Sequence, residues 1–242
     1  MNLSWHKNRF NKPKEGRVSD QDIVDHIRSA VLMQRLTPNT KLPEVTLGEV
    51  FGVSRSVVRK ALTRLDAEHV IDQIPNQVAR VRAPSIEETR ETFSARRLVE
   101  GEIVALLAGK LDASTKGALE QQVELEKQAY ESNNEPSRIE HSLNIHHLLA
   151  EHAPNKILGA MLTDLVLRTS IVIALYKPPG LVSCYLDGDH AQLLLHLLNG
   201  APEEARYAVH SHLDSLESLL VLTSRAPDAD LMDILGGGSA ND

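Results

Sequence analysis

The sequence predicts a mainly α protein in two parts, a short N-terminal domain of three helices and a hairpin followed by an all-α six-helix bundle. Three observations carry this. Aromatic residues are only 3% of 242, while Leu, Ala, Glu and Arg recur throughout, a usage that favours helices over sheets. Between positions 20 and 67 apolar residues fall at helical spacing in three runs punctuated by Pro and Gly, and two strand-like runs follow. Beyond Pro84 helical spacing continues in six longer runs. A hydrophobic share of 42% suffices for one large core or two smaller ones.

Residues 1 to 17 hold five basic side chains and show no period, so they are expected to form a disordered basic arm. From Asp20, the spacing of Ile23, Ile27, Ala30 and Val31 predicts a helix to about residue 35, stopped by the turn around Pro38 and Pro43. "EVTLGEVF" predicts a short helix whose apolar face is Val45, Leu47, Val50 and Phe51, ended by Gly52. Ser54 is a good N-cap for a helix to about 67 that buries Val57, Val58, Ala61, Leu62 and Leu65. "VIDQI" and "ARVRA" then read as two strands around "PNQ".

The helix from 54 turns Arg55, Ser56, Arg59, Lys60 and Thr63 away from its apolar stripe. Two helices joined by a glycine turn, the second cationic and polar from its first residues, form a helix-turn-helix, and the hairpin beside it, with Gln77 at its tip, makes a wing. Such a helix reads the major groove of double-stranded DNA: Arg bonds guanine edges bidentately, and Ser or Thr bonds bases or phosphates. Charge agrees. Residues 1 to 83 hold 14 Lys+Arg against 9 Asp+Glu, whereas the remainder holds 12 against 24. A basic head suits a polyanion, and an acidic body repels one.

From Pro84 onward helices are expected over about 85 to 110, 113 to 132, 136 to 152, 155 to 177, 180 to 199 and 202 to 224. The domains are therefore 18–84 and 85–224, and the glycine-rich remainder, 225–242, is expected to be a flexible tail. A single cysteine, Cys184, excludes an internal disulfide and fits a reducing compartment. The most apolar stretch, "LVLRTSIVIALY", contains Arg168 and follows Asp164. A cytoplasmic protein without a membrane span is expected.

Eight of the eleven histidines lie between 141 and 212. Neutral imidazole is a common ligand of zinc and nickel, and helices of a bundle can bring ligands together. Spacing alone leaves open which ones converge, or whether they are simply surface residues.

"KLPEVTLGEVFGVSRSVVRKALTRLDAEHVI" resembles the winged helix-turn-helix of GntR-type bacterial transcription regulators, with Gly52, Val53, Ser54, Arg55, Val58, Arg59, Ala61, Leu62 and Leu65 in place. The resemblance implies that Arg55 and Arg59 read bases and phosphates, with Ser54 and Ser56 near the backbone. Three positions depart from it: Val45 replaces an arginine, His69 a glycine, and "NQVARV" an Arg-Gly pair in the wing.

"IHHLLAEHAPN", with Ile145, His146, Leu149 and Asn155, and "DHAQLLLHLLNGAPEEARYAVHSHL", with His190 and His212, are similar to the FadR-type ligand-binding domain called FCD. That resemblance implies a homodimeric regulator, read as a repressor of a palindromic operator, whose bundle senses a small, carboxylated effector. It also implies a divalent metal, zinc or nickel, on His146, His190 and His212 with an aspartate one turn before the first. Here that position is Ser142. Arg97 matches a recurrent arginine of the first bundle helix, and Arg97, Ser142 and Asn155 are the implied effector contacts. Two alternatives stay open: a metal-free site sensing an apolar effector or none, and a three-histidine zinc hydrolase using Asp189 or Glu151 as base. No nucleophile elbow, phosphate loop or His-Glu-x-x-His segment is present.

Overall fold

A computed structural model describes residues 18–32, 35–178, 188–222 and 231–235. The expected basic arm, Cys184 and the last seven residues lie outside these. The chain divides into two compact units, one of residues 1–84 with 223–242 and one of residues 85–222.

The first unit opens with α1 (Asp20–Leu32), which buries Ile23, Val24, Ile27, Ala30, Val31 and Leu32. Ser19 sits before it, and its hydroxyl accepts from the Asp22 N–H at 3.2 Å, a local cap that starts the helix. Helix α2 (Glu44–Phe51) buries Leu47 and Phe51 but leaves Val45 exposed, contrary to the apolar face expected for it. Gly52 ends α2 in the left-handed region, φ 64°, where a side chain would be strained. Helix α3 (Arg55–Ala67) buries Val58, Ala61, Leu62 and Leu65, whereas Val57 is only half-buried. Ser54 occupies the N-cap position as expected, yet its hydroxyl pairs with the Ser56 hydroxyl at 2.8 Å instead of capping a backbone N–H.

The wing is shorter than its sequence pattern. Strands β1 (Ile71–Asp72) and β2 (Arg80–Val81) pair antiparallel, Ile71 opposite Val81, and Lys41 bridges to Arg80. Ile71 and Val81 point inward to the core and Asp72 outward, the alternation of a half-buried sheet. The tail expectation needs correction at one segment: Leu231–Leu235 form a helix, α10, that packs against α1 and α2 with Leu231 and Leu235 buried. Two leucines one helical turn apart give even a five-residue segment an apolar edge to bury.

The second unit is the expected six-helix bundle: α4 (Ile86–Leu107), α5 (Ala113–Glu131), α6 (Glu135–Glu151), α7 (Lys156–Tyr176), α8 (Asp189–Leu198) and α9 (Pro202–Ser218). Side chains of Ser85, Asp112, Asn134 and Asn155 cap the first four by accepting N–H groups of their first turns. Helix α4 packs against α7 and α9, α5 against α6, and α8 against α9. Helix α7 is long and apolar enough to cross a membrane, but within the unit its Leu162, Val166, Thr169, Ile171 and Val172 are buried, and it packs against α4 and α6. Helix α9 ends at Ser218, six residues earlier than expected.

Candidate nucleic-acid interface and metal centre

On α3 the buried stripe faces the first unit's core, and Ser54, Arg55, Ser56, Arg59, Lys60 and Thr63 are all exposed on the other side. The sequence placed this face correctly because a helical period leaves little freedom once the stripe is fixed. Gln77 is exposed at the hairpin tip, and its N–H donates to the Ile74 carbonyl at 3.1 Å. Asn76 beside it holds φ 64°. His69, which stands in place of a glycine, adopts φ 57°, so the backbone keeps the conformation that glycine ordinarily supplies. Val45 and Val78 are exposed apolar residues on this unit. Sequence reasoning missed Glu44: both its carboxylate oxygens accept from Arg59 Nε, at 2.8 and 2.9 Å.

In the second unit His146 from α6, His190 from the first turn of α8 and His212 from α9 converge, each at most 4% exposed. Their ligand atoms lie within 4.8 Å of one another, and the Nε2 atoms of His146 and His190 are 3.2 Å apart. Two ligands each about 2.1 Å from one tetrahedral ion are about 3.4 Å apart. The separation fits an ion.

Each ring is held from behind by a carboxylate. His146 Nδ1 donates to Glu100 Oε1 at 2.5 Å, His190 Nδ1 to Glu126 at 2.8 and 2.9 Å, and His212 Nδ1 to Asp189 Oδ2 at 3.2 Å. A carboxylate behind Nδ1 fixes the proton there, so Nε2 carries the lone pair, the tautomer a metal needs. His212 Nε2 is buried with no hydrogen-bond partner among the described residues. Burial pushes the His146 pKa down to about 3, against the opposing pull of Glu100, and burial likewise lowers His212. Both imidazoles are therefore neutral and ready to ligate. Burial alone would raise the Glu100 carboxyl, but Arg96 and His146 outweigh it and hold Glu100 well below the usual carboxylate range.

Glu100 and Glu126 are buried carboxylates, with the half-buried Asp189 a third at the edge. The balancing cation beside them is Arg96, which is itself buried and donates to Glu100 Oε2 at 2.8 Å and to Thr169 Oγ1 at 2.6 Å. Two buried carboxylates and the half-buried Asp189 against one guanidinium give the site a surplus of negative charge, which suits a cation. Ser142 is buried one turn before His146 and brings a hydroxyl where the family's aspartate is expected.

Two expected effector contacts are placed elsewhere. Arg97 pairs with Asp214 and Glu217 of α9, each at 2.9 Å, so its charge is already compensated. Its neighbour Arg96 turns into the bundle, and Arg96 Nη2 is buried without a partner among the described residues. Asn155 is exposed, and its side chain caps α7 by accepting from the Ile157 and Leu158 N–H groups at 3.0 and 3.3 Å. The bases imagined for a hydrolase are not poised either: Asp189 is engaged with His212, and Glu151 is exposed at the end of α6.

Residues 20–81 match the gntR family of bacterial regulatory proteins, and residues 91–215 match the FCD domain. The Uxu operon transcriptional regulator of Escherichia coli K12 is 23% identical over 236 residues, covering 86% of this chain and 89% of that protein. Among solved structures, a GntR transcriptional regulator from Rhodococcus sp. RHA1 aligns with a TM-score of 0.68 at 18% identity, covering 82% of this chain and 95% of that one. McbR/YncC of E. coli aligns with a TM-score of 0.66 at 21% identity over the same shares. These likenesses support the fold. With a DNA-reading head and an FCD bundle in this order, the chain belongs to the GntR family of bacterial regulatory proteins and is a transcriptional regulator, not an enzyme.

Proposed function

We propose that this regulator is a cytoplasmic repressor that binds a palindromic operator as a homodimer and releases it when a small carboxylate enters the FCD bundle. The observation that carries the sensing half is the convergence of three buried Nε2 lone pairs, each backed by a carboxylate. His146, His190 and His212 would hold zinc or nickel, and such an ion supplies a Lewis-acidic seat for an anionic oxygen. Arg96 offers a second positive contact, since its Nη2 is buried and lacks an acceptor among the described residues. Ser142, on the same face of α6 as His146, supplies a neutral hydroxyl without adding repulsion to an anion.

On the reading side, two-fold symmetry would present two α3 helices to half-sites about one turn of DNA apart or a multiple of it. Arg55, Arg59, Lys60, Ser54, Ser56 and Thr63 are the residues available to bases and phosphates, with Gln77 available from the wing. Coupling is linkage: an effector that favours the dimer arrangement unable to span both half-sites lowers operator affinity by its differential affinity for the two arrangements. The metal-free alternative leaves the surplus of carboxylate charge around the histidines without a cation, which disfavours it.

A thermal-shift screen of small carboxylates, run with and without added zinc, tests the reading. A compound at about 100 times its dissociation constant adds about 2.7 kcal/mol of stability. Stabilisation by a carboxylate only when the ion is present supports the proposal, as does release of operator DNA by the same compound. Stabilisation that is independent of the ion, or of Arg96 in an Arg96→Gln variant, contradicts it.

A further inference from the structure

We propose that Glu44 positions Arg59 for base reading and so sets the discrimination between operator and other DNA; this rests on the DNA-binding reading of α3. Glu44 is the first residue of α2, and Arg59 lies in the second turn of α3. The Arg59 side chain is 66% exposed and that of Glu44 28%. An exposed ion pair usually holds its partners loosely. This one differs in its anchor: the carboxylate belongs to the first turn of a helix, where the macrodipole favours an anion, and both its oxygens take the same Nε.

That geometry divides the guanidinium. Its Nε edge is committed to Glu44, and its Nη1 and Nη2 end has no partner among the described residues. End-on recognition of guanine O6 and N7 uses two in-plane N–H donors from that end. A fork already oriented surrenders less side-chain freedom when it docks on a base edge. The carboxylate acts a second time through its charge. Beside a basic face it disfavours the approach of phosphates, which weakens sequence-independent binding, the term that depends most on salt. Arg55 and Lys60, exposed and without acidic partners among the described residues, remain available to the backbone. Both effects raise the ratio of specific to non-specific affinity.

The test uses the full chain. Selection from a randomised duplex pool with wild-type protein yields a consensus duplex, and affinities for it and for a scrambled duplex are then measured at several salt concentrations. Wild type, Glu44→Gln, Arg59→Ala and the double variant are compared, with thermal melting of each. In Glu44→Gln the consensus-to-scrambled ratio should fall about fivefold or more, with scrambled binding strengthened and its salt dependence steeper. In the Arg59→Ala background the same change should lower the ratio much less, because only the charge effect remains to be lost. Glu44→Asp, which keeps the charge but shortens the reach, should lower the ratio without strengthening scrambled binding. Equal weakening on both duplexes, or the same effect of Glu44→Gln in both backgrounds, would make Glu44 a brace of the fold and overturn the proposal. A wild-type pool that yields no consensus would remove the DNA reading itself.

Discussion

His146 and His190 face each other through Nε2 atoms 3.2 Å apart, and each turns its other ring nitrogen to a buried glutamate, Glu100 or Glu126. Two lone pairs held at that distance repel unless positive charge lies between them. The surrounding carboxylates both orient the rings and supply the negative charge that such an ion neutralises.

Glu126→Gln keeps the size of the side chain but removes the charge behind His190. Zinc affinity, measured by competition with a chromophoric chelator, should fall about 10- to 100-fold. Affinity for DNA of the ion-free protein should not change. An unaltered zinc affinity would mean that Glu126 serves packing alone.

Acid should destabilise the ion-free protein before it protonates ordinary carboxylates. His146 is held at about 3 against 6.5 for a free imidazole, so between those values the unfolded chain binds a proton that the folded chain does not. Its contribution to stability is complete above about pH 6.5 and is lost as pH falls below it. Melting of chelated protein from pH 7.5 to 5 should show a falling Tm, and His146→Gln should flatten that fall.

Changing Arg55 or Arg59 to Ala should weaken operator binding by about 1 to 3 kcal/mol where the arginine contacts a base edge, and should relax preference at one base position. Affinity measured at fixed salt checks this. Undiminished binding by both variants would count against the assignment of α3.

Gly159, in the first turn of α7, is a position where a side chain does not fit: an added Cβ would lie 2.3 Å from the Ala150 carbonyl oxygen of α6. Gly159→Ala should therefore cost about 1 to 3 kcal/mol through overpacking. Denaturant unfolding reads this, and an unchanged midpoint would show that α6 and α7 separate freely.

The head was legible because its signals are local. Gly52, Ser54 and the stripe of Val58, Ala61, Leu62 and Leu65 lie within fifteen residues, and a helical period then fixes the exposed face. The three histidines were legible only through family resemblance, since they come from helices far apart in sequence. The glutamate partners of two of them were not found: Glu100 lies 46 residues from His146, and Glu126 lies 64 from His190. One signal was available. Arg96 and Glu100 fall on the stripe of Phe93, Ile103, Val104 and Leu107, so two charged residues stood at buried positions of α4. The same stripe distinguishes Arg96 from Arg97, which is rotated about 100° around the helix and meets Asp214 and Glu217 instead. Leu231 and Leu235 were hidden by the glycine-rich sequence that follows them.

The most direct measurement is the zinc content and zinc affinity of the full-length protein prepared without chelator, nickel resin or tag, beside His146→Ala, His190→Ala and His212→Ala variants. One ion per chain in the wild type, lost or greatly weakened in every variant, is the expected result. A wild type that stays free of metal in the presence of equimolar zinc, or a full complement of ion in the His146→Ala variant, would contradict the central claim that these three residues form a metal centre.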